Sequence, residues 1–151
     1  MTVTAVAHLN FHGQAREALE FYRSVFGGEV SIATYGQFGI PVGPTDVDKV
    51  VFGQIQAGNG FRVLAYDVPG EDAVAGPSPT TYRKNGTTIT TETFFLSAQS
   101  QTLEEATSYW DGLSDGASVI EPFGPAPWGP GFGMLTDRYG VTWIVDVAAA
   151  P

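Results

Sequence analysis

The feature that most constrains this chain is an internal repeat. Glu17-Ala18-Leu19-Glu20-Phe21-Tyr22, followed by Val25 and Gly28, corresponds to Glu105-Ala106-Thr107-Ser108-Tyr109-Trp110, followed by Leu113 and Gly116. A second match, Gly60-Phe61-Arg62-Val63-Leu64 against Gly140-Val141-Thr142-Trp143-Ile144, closes each half. Each half reads as strand-helix-strand-strand-strand. One such unit cannot cover its own sheet, whereas two can bury their helices on one side and leave a concave sheet on the other. The expectation is an α+β protein: one domain of two βαβββ modules forming a cupped mixed sheet, with the helices on the convex face. The modules run from Met1 to about Val68 and from about Thr87 to Pro151, joined by a linker over 69–86.

Local patterns fill in the elements. Val3 to Phe11 is partly β-branched and reads as a strand. From Gln14 to Phe26, the residues Ala15, Ala18, Leu19, Tyr22, Val25 and Phe26 fall three and four apart, one helical stripe stopped by Gly27-Gly28. Val30 to Tyr35 is a second strand, and Gly36 to Asp48 a Gly/Pro-bearing loop. Val50 to Gln56 and Phe61 to Val68 flank a Gly58-Asn59-Gly60 turn, a hairpin signal. Pro69 to Gly86 shows no periodicity and reads as linker or flap. The Thr- and Phe-rich run Thr87 to Ala98 reads as one long strand. Thr102-Leu103-Glu104-Glu105 is a capping box. It opens a helix to about Leu113 with Leu103, Ala106, Tyr109/Trp110 and Leu113 inward. Ser118 to Glu121 is a short strand, Pro122 to Gly131 a loop holding Trp128, and Phe132–Thr136 with Val141–Val147 a hairpin about Asp137-Arg138-Tyr139-Gly140.

Composition excludes several partners. The net charge is −9, with no cluster of Lys or Arg, so the surface repels phosphate backbones and anionic membranes. No cysteine is present, which removes disulfides, thiolate catalysis and Cys-ligated zinc. Met1-Thr2-Val3-Thr4-Ala5 has neither a basic region nor a long apolar run, so no signal peptide or spanning helix is expected and the default location is cytoplasmic. Aromatic residues at 13% point to a ring-rich core or pocket.

Few residues carry chemistry. If Leu9 and Phe11 face the helix, strand alternation turns His8 and Asn10 to the concave side. His8 there is a cavity-wall residue, a lone ligand or a base; His12 is a solvated turn residue. Asp137 reads as a turn former bonding backbone, with Gly140 at positive φ. Gly129-Pro130-Gly131-Phe132-Gly133 precedes no helix and is not a phosphate loop. Trp128 suits a pocket rim or a subunit contact, and Trp110 and Trp143 suit the core. No nucleophile stands beside either histidine, so no catalytic residue is assigned.

The stretches His8-Leu9-Asn10-Phe11, Gly13, Glu17 to Tyr22 and Val25-Phe26-Gly27-Gly28-Glu29 resemble the opening of PhnB-like proteins. Trp128 and Phe132 to Trp143 resemble their end. These proteins form a branch of the vicinal oxygen chelate (glyoxalase, bleomycin resistance and dioxygenase) superfamily. The resemblance implies a divalent ion held by His and Glu from the first and last strands of each half. The last-strand Glu, four residues after the hairpin Gly, falls on Leu64 and Ile144. Phe52 stands where many relatives have a third-strand His, and Thr93 and Phe94 lie near the second half's first ligand position. Glu92 and Asp146 are the acids that could complete an unusual site with His8. The expectation is a small-molecule-binding protein with no cofactor and no metal, its apolar cavity lined by His8, Asn10, Phe52, Leu64, Trp128 and Ile144. The alternatives are a metal-dependent lyase or isomerase of the glyoxalase type, and a module acting only through protein partners. The resemblance also implies a homodimer, with module exchange permitted by the 69–86 segment.

Overall fold

The computed structural model describes residues 2–70 and 80–148, and the chain divides into two compact units, Met1–Ala75 and Gly76–Pro151. The first contains β1 (His8–Phe11), α1 (Ala15–Phe26), β2 (Glu29–Thr34), β3 (Val50–Gln56) and β4 (Arg62–Asp67). Its sheet has the order β1-β4-β3-β2, with β1 parallel to β4 and the other pairs antiparallel. The strand expected from Val3 begins only at His8, where pairing with β4 starts; Val3 is almost fully exposed.

The stripe on α1 behaves as its spacing requires: Ala15, Ala18, Leu19, Tyr22 and Phe26 are buried. Leu9, Phe11, Ile55, Val63 and Ala65 meet it from the sheet. Gly53 lets the helix come close, since a Cβ there would lie 2.7 Å from Leu19 Cδ1. At the helix's far end Phe61 stacks on Phe26 at 4.1 Å, and the Asn59 amide donates to the Phe26 carbonyl at 3.0 Å.

The start of α1 is held from a distance. Gln14, at the N-cap, makes no side-chain cap. Instead Asp67, buried at the end of β4, accepts from the N–H groups of Gly13 and Ala15 through Oδ1, both at 2.9 Å, and from Val50 N–H through Oδ2 at 3.0 Å. The Tyr35 hydroxyl donates to the Asp67 carbonyl at 2.6 Å. One carboxylate thus ties helix, first turn and third strand together.

The second unit repeats the plan as β7 (Leu96–Ser100), α2 (Leu103–Ser114), β8 (Ser118–Ala126), β9 (Gly129–Thr136) and β10 (Thr142–Val147), in the order β7-β10-β9-β8. Here the cap is local: Thr102 Oγ1 accepts from Glu105 N–H at 3.1 Å. Arg138, from the β9–β10 turn, donates to the Asp115 carbonyl at the helix's other end. Asp137 accepts from Tyr139 N–H, Val141 N–H and Trp143 Nε1–H, and Gly140 takes φ 86°, so the turn reading holds. Trp143 is buried, and Trp110 stacks on Phe123.

Three expectations need correction here. Thr87 to Ala98 is not one strand. Its first part, β6 (Thr87–Thr90), pairs with β5 (Thr81–Lys84) inside the segment read as linker, and only from Leu96 does β10 provide a partner. Asn85 and Gly86, at φ 53° and 75°, make the tight turn between them, a pair suited to two successive positive φ angles. Residues 71–79 of that segment lie outside the described residues. Pro122 to Gly131 is not a loop either: β8 and β9 run through it to a turn at Pro127-Trp128. β8 is an edge strand with three register shifts, where missing proline N–H groups are tolerated. Finally, Leu103 is 46% exposed, because it is the helix's first residue and reaches the sheet only near Gly131. Among the described residues no helix is long and apolar enough to cross a membrane.

Candidate functional site

In the first unit, strand alternation separates two faces. Gly53 points to α1, so its neighbours Phe52 and Gln54 point away from it. Leu9 and Phe11 are buried while His8 and Asn10 are exposed, which turns both polar residues to that same face. The backbone register then lays out rows. Leu64 on β4 stands opposite His8 on β1 and opposite Gln54 on β3, and Gln54 stands opposite Ser31 on β2. In the next row Asn10 stands opposite Tyr66, and Phe52 opposite Ala33. Phe52 is 43% exposed, and Leu64 and Tyr66 are half-buried.

Side-chain contacts fix part of this face. His8 Nδ1 lies 3.0 Å from Asn10 Oδ1. An amide oxygen only accepts, so this contact fits the tautomer in which Nδ1–H donates to it and Nε2 is the ring's acceptor. The Tyr66 ring meets the imidazole edge-on at 5.4 Å. Arg62 Nη2 donates to Gln54 Oε1 at 3.0 Å. Tyr66, Gln54 and Arg62 did not emerge from the sequence as site residues. Their signal was the period-2 alternation of β3 and β4, readable once His8 fixes the face.

In the second unit Ile144 stands opposite Ser97 on β7 and Met134 on β9, on the face away from α2. The β5–β6 hairpin lies over that face. Arg83 sits 5.1 Å above the Phe132 ring and 3.7 Å from Glu121. Thr88 Oγ1 contacts Met134 Sδ at 3.5 Å. Glu92 accepts from the hydroxyls of Thr81 and Thr142, the latter at 3.0 Å. Trp128, at the tip of the β8–β9 arm, touches Phe132 edge-on and is 57% exposed. Asp146 stands opposite Phe132. Burial pushes its carboxyl above the usual range, and its Oδ1 has no hydrogen-bond partner.

The repeat can now be aligned strand by strand. His8 opposite Leu64 in the first unit corresponds to Ser97 opposite Ile144 in the second. This corrects the earlier placement: the second counterpart of His8 is Ser97, while Thr93 and Phe94 precede β7. The error came from reading Thr87 to Ala98 as unbroken. At the positions where the resemblance implies metal ligands, the chain therefore offers one imidazole, one hydroxyl and two alkyl groups. That donor set does not fit a divalent cation, which needs several imidazole, carboxylate or thiolate ligands. Glu92 is already engaged by two threonine hydroxyls. Among the described residues no three His, Cys, Asp or Glu side chains gather as a metal site. Exposed His12 lies in the turn before α1.

Comparison with known proteins agrees with this architecture. The model of the Glyoxalase/Bleomycin resistance protein/Dioxygenase superfamily matches residues 6–145. The protein YjdN of Escherichia coli is 24% identical over 150 residues, covering 93% of this chain and 92% of its own. The structure of PA1353 from Pseudomonas aeruginosa is similar at 31% identity and a TM-score of 0.69, covering 97% of this chain and 98% of its own. The PhnB protein from Bacillus cereus is similar at 25% identity and a TM-score of 0.71, covering 97% and 100%. The chain belongs to the glyoxalase, bleomycin resistance and dioxygenase superfamily, and within it to the PhnB-like branch.

Proposed function

We propose that this protein binds an organic small molecule without a metal ion, through an apolar sheet surface carrying a few polar groups. The observation that carries the reading is the replacement at the last-strand positions. Leu64 and Ile144 stand where the fold's carboxylate ligands belong, beside His8 and Ser97 respectively. Alkyl groups there remove the charge that would hold a cation, and they add apolar surface worth roughly 25 cal/mol per Å² when covered by a ligand. In the first unit the binding residues are His8, Asn10, Phe52 and Leu64; in the second they are Ile144 and Trp128. No catalytic role is assigned to any of them.

Calorimetric titration with nickel, zinc and manganese tests the metal-free half of the reading. No heat of specific binding is expected. Binding tighter than about 1 μM, a free energy near −8 kcal/mol, that disappears in His8→Ala would overturn it and favour the metal-dependent lyase or isomerase. Fluorescence titration with naphthalene probes, with and without polar groups, tests the other half, and failure of every one to bind at any soluble concentration refutes it. The protein is also proposed to act as a homodimer. The exposed Phe38 and Phe94, outside the proposed binding residues, favour this, since exposed apolar surface often marks an interface.

A further inference from the structure

The row across the first unit's sheet narrows the chemistry of the molecule it holds; this inference rests on the ligand-binding reading above. Leu64 lies between His8 and Gln54, each on a neighbouring strand. Adjacent strands are about 4.8 Å apart, so His8 and Gln54 stand about 10 Å apart across the leucine. The two ends of the row have opposite hydrogen-bonding character. At one end His8 Nδ1 lies 3.0 Å from Asn10 Oδ1, a contact that fits the tautomer with Nε2 as the acceptor. At the other, Arg62 occupies Gln54 Oε1, which leaves the amide N–H₂ as a donor with a guanidinium beside it. Read across the sheet, the row is acceptor, apolar floor, donor.

We propose that this row binds a flat, apolar-bodied molecule with a hydroxyl at one end and a carbonyl at the other. The hydroxyl donates to His8 Nε2, the body lies on Leu64, and the carbonyl accepts from the Gln54 amide. The direction is set at the histidine: a carbonyl there would set lone pair against lone pair, whereas the Gln54 amide can donate to a carbonyl or a hydroxyl oxygen alike. Such a mismatch leaves the imidazole acceptor without a partner, which favours one orientation of the bound molecule.

The test compares four fluorescent probes on the intact protein: 6-acetyl-2-naphthol, its 6-methoxy ether analogue 2-acetyl-6-methoxynaphthalene, 2-naphthol, and 2-methylnaphthalene. The naphthol ketone is expected to bind about 3- to 10-fold more tightly than the ether, the effect of one net hydrogen bond. It should exceed 2-naphthol by a similar factor. His8→Ala should abolish the hydroxyl-against-ether difference, and Gln54→Leu the ketone-against-no-ketone difference. Both side chains lie on the face away from the helix core, and circular dichroism checks that the variants fold. If 2-methylnaphthalene binds but the wild type shows no preference for hydroxyl over ether, the inference is overturned and the ligand-binding reading stands. Persistence of both preferences in the variants also overturns it. If none of the four probes binds, the ligand-binding reading itself falls, and the inference with it.

Discussion

Replacing Asp67 with alanine should destabilise the first unit more than any single helix-cap substitution in the second. The carboxylate accepts three backbone N–H bonds, from Gly13, Ala15 and Val50. Gly13 is exposed and can turn to water, but Ala15 and Val50 are buried. A buried donor left without an acceptor costs about 1–3 kcal/mol, so two cost about 2–6 kcal/mol. Loss of the negative charge beside the helix N-terminus adds about 0.3–1 kcal/mol. A total of roughly 2–7 kcal/mol is a large share of the 5–15 kcal/mol typical of a folded protein. Asp67→Asn should cost about 1–3 kcal/mol, because it keeps one acceptor and sets an N–H₂ group against a backbone donor. Thr102→Ala provides the internal comparison: it removes a local cap and should cost about 1 kcal/mol. Urea unfolding gives the totals, and hydrogen exchange at the Ala15 and Val50 amides localises the loss. If Asp67→Ala cost less than Thr102→Ala, the long-range cap would be a bystander.

Leu19→Ala should cost about 2–5 kcal/mol, as expected for a fully buried leucine. Gly53→Ala should cost about 1–3 kcal/mol by overpacking against Leu19. The double variant should cost less than the sum, since the new methyl enters the space Leu19 vacates; strict additivity in denaturant melts would refute that contact. Two carboxyls should respond oppositely to pH. The hydrogen bond from Lys49 holds Asp46 below its ordinary 3.8, so its stabilisation is complete above that pH and is lost as pH falls through the lowered value. Comparing Asp46→Asn with wild type should show a deficit at pH 7 that closes below pH 3.8. Asp146 is raised above 3.8 by burial, so its charged form opposes folding at neutral pH, and Asp146→Asn should stabilise at pH 7 with no gain in acid; a loss at pH 7 refutes the burial argument. Sedimentation at micromolar concentration should show a dimer, and a clean species at the 16.0 kDa chain mass would refute it.

The elements whose signals are local were legible in the sequence. The α1 stripe, the Thr102 capping box, the Gly58-Asn59-Gly60 turn and the Asp137 turn each involve residues within a few positions of one another. The βαβββ repeat followed from aligning them. What stayed hidden depends on partners far along the chain. Asp67 lies 52 positions from the helix residue it caps, and nothing about an aspartate at a strand end announces that. β8 was hidden by prolines that an edge strand tolerates, and the edge is a property of the assembled sheet; the start of β9 was hidden by Pro130, which lies beyond the stretch that pairs with β10. Asn85-Gly86 was a local signal, but the uninterrupted threonines after it masked the break before β7. Of the candidate surface, the face shared by His8 and Asn10 was readable from alternation. The pairing of Leu64 with both His8 and Gln54 required the register.

The prolines of β8 have a further consequence. Pro122 and Pro125 sit in the outermost strand of the second unit's sheet, interrupted by repeated bulges. An outer strand with regular, unpaired N–H and C=O groups is a template on which another chain can crystallise its own strand, the first step toward fibrils and adventitious aggregates. Here that template is broken: two donors are missing and the bulges twist the remaining ones out of line. Growth by strand addition is closed on this side. Any continuous intermolecular sheet built from these two four-stranded sheets must instead use β1, β2 or β7, the outer strands without proline.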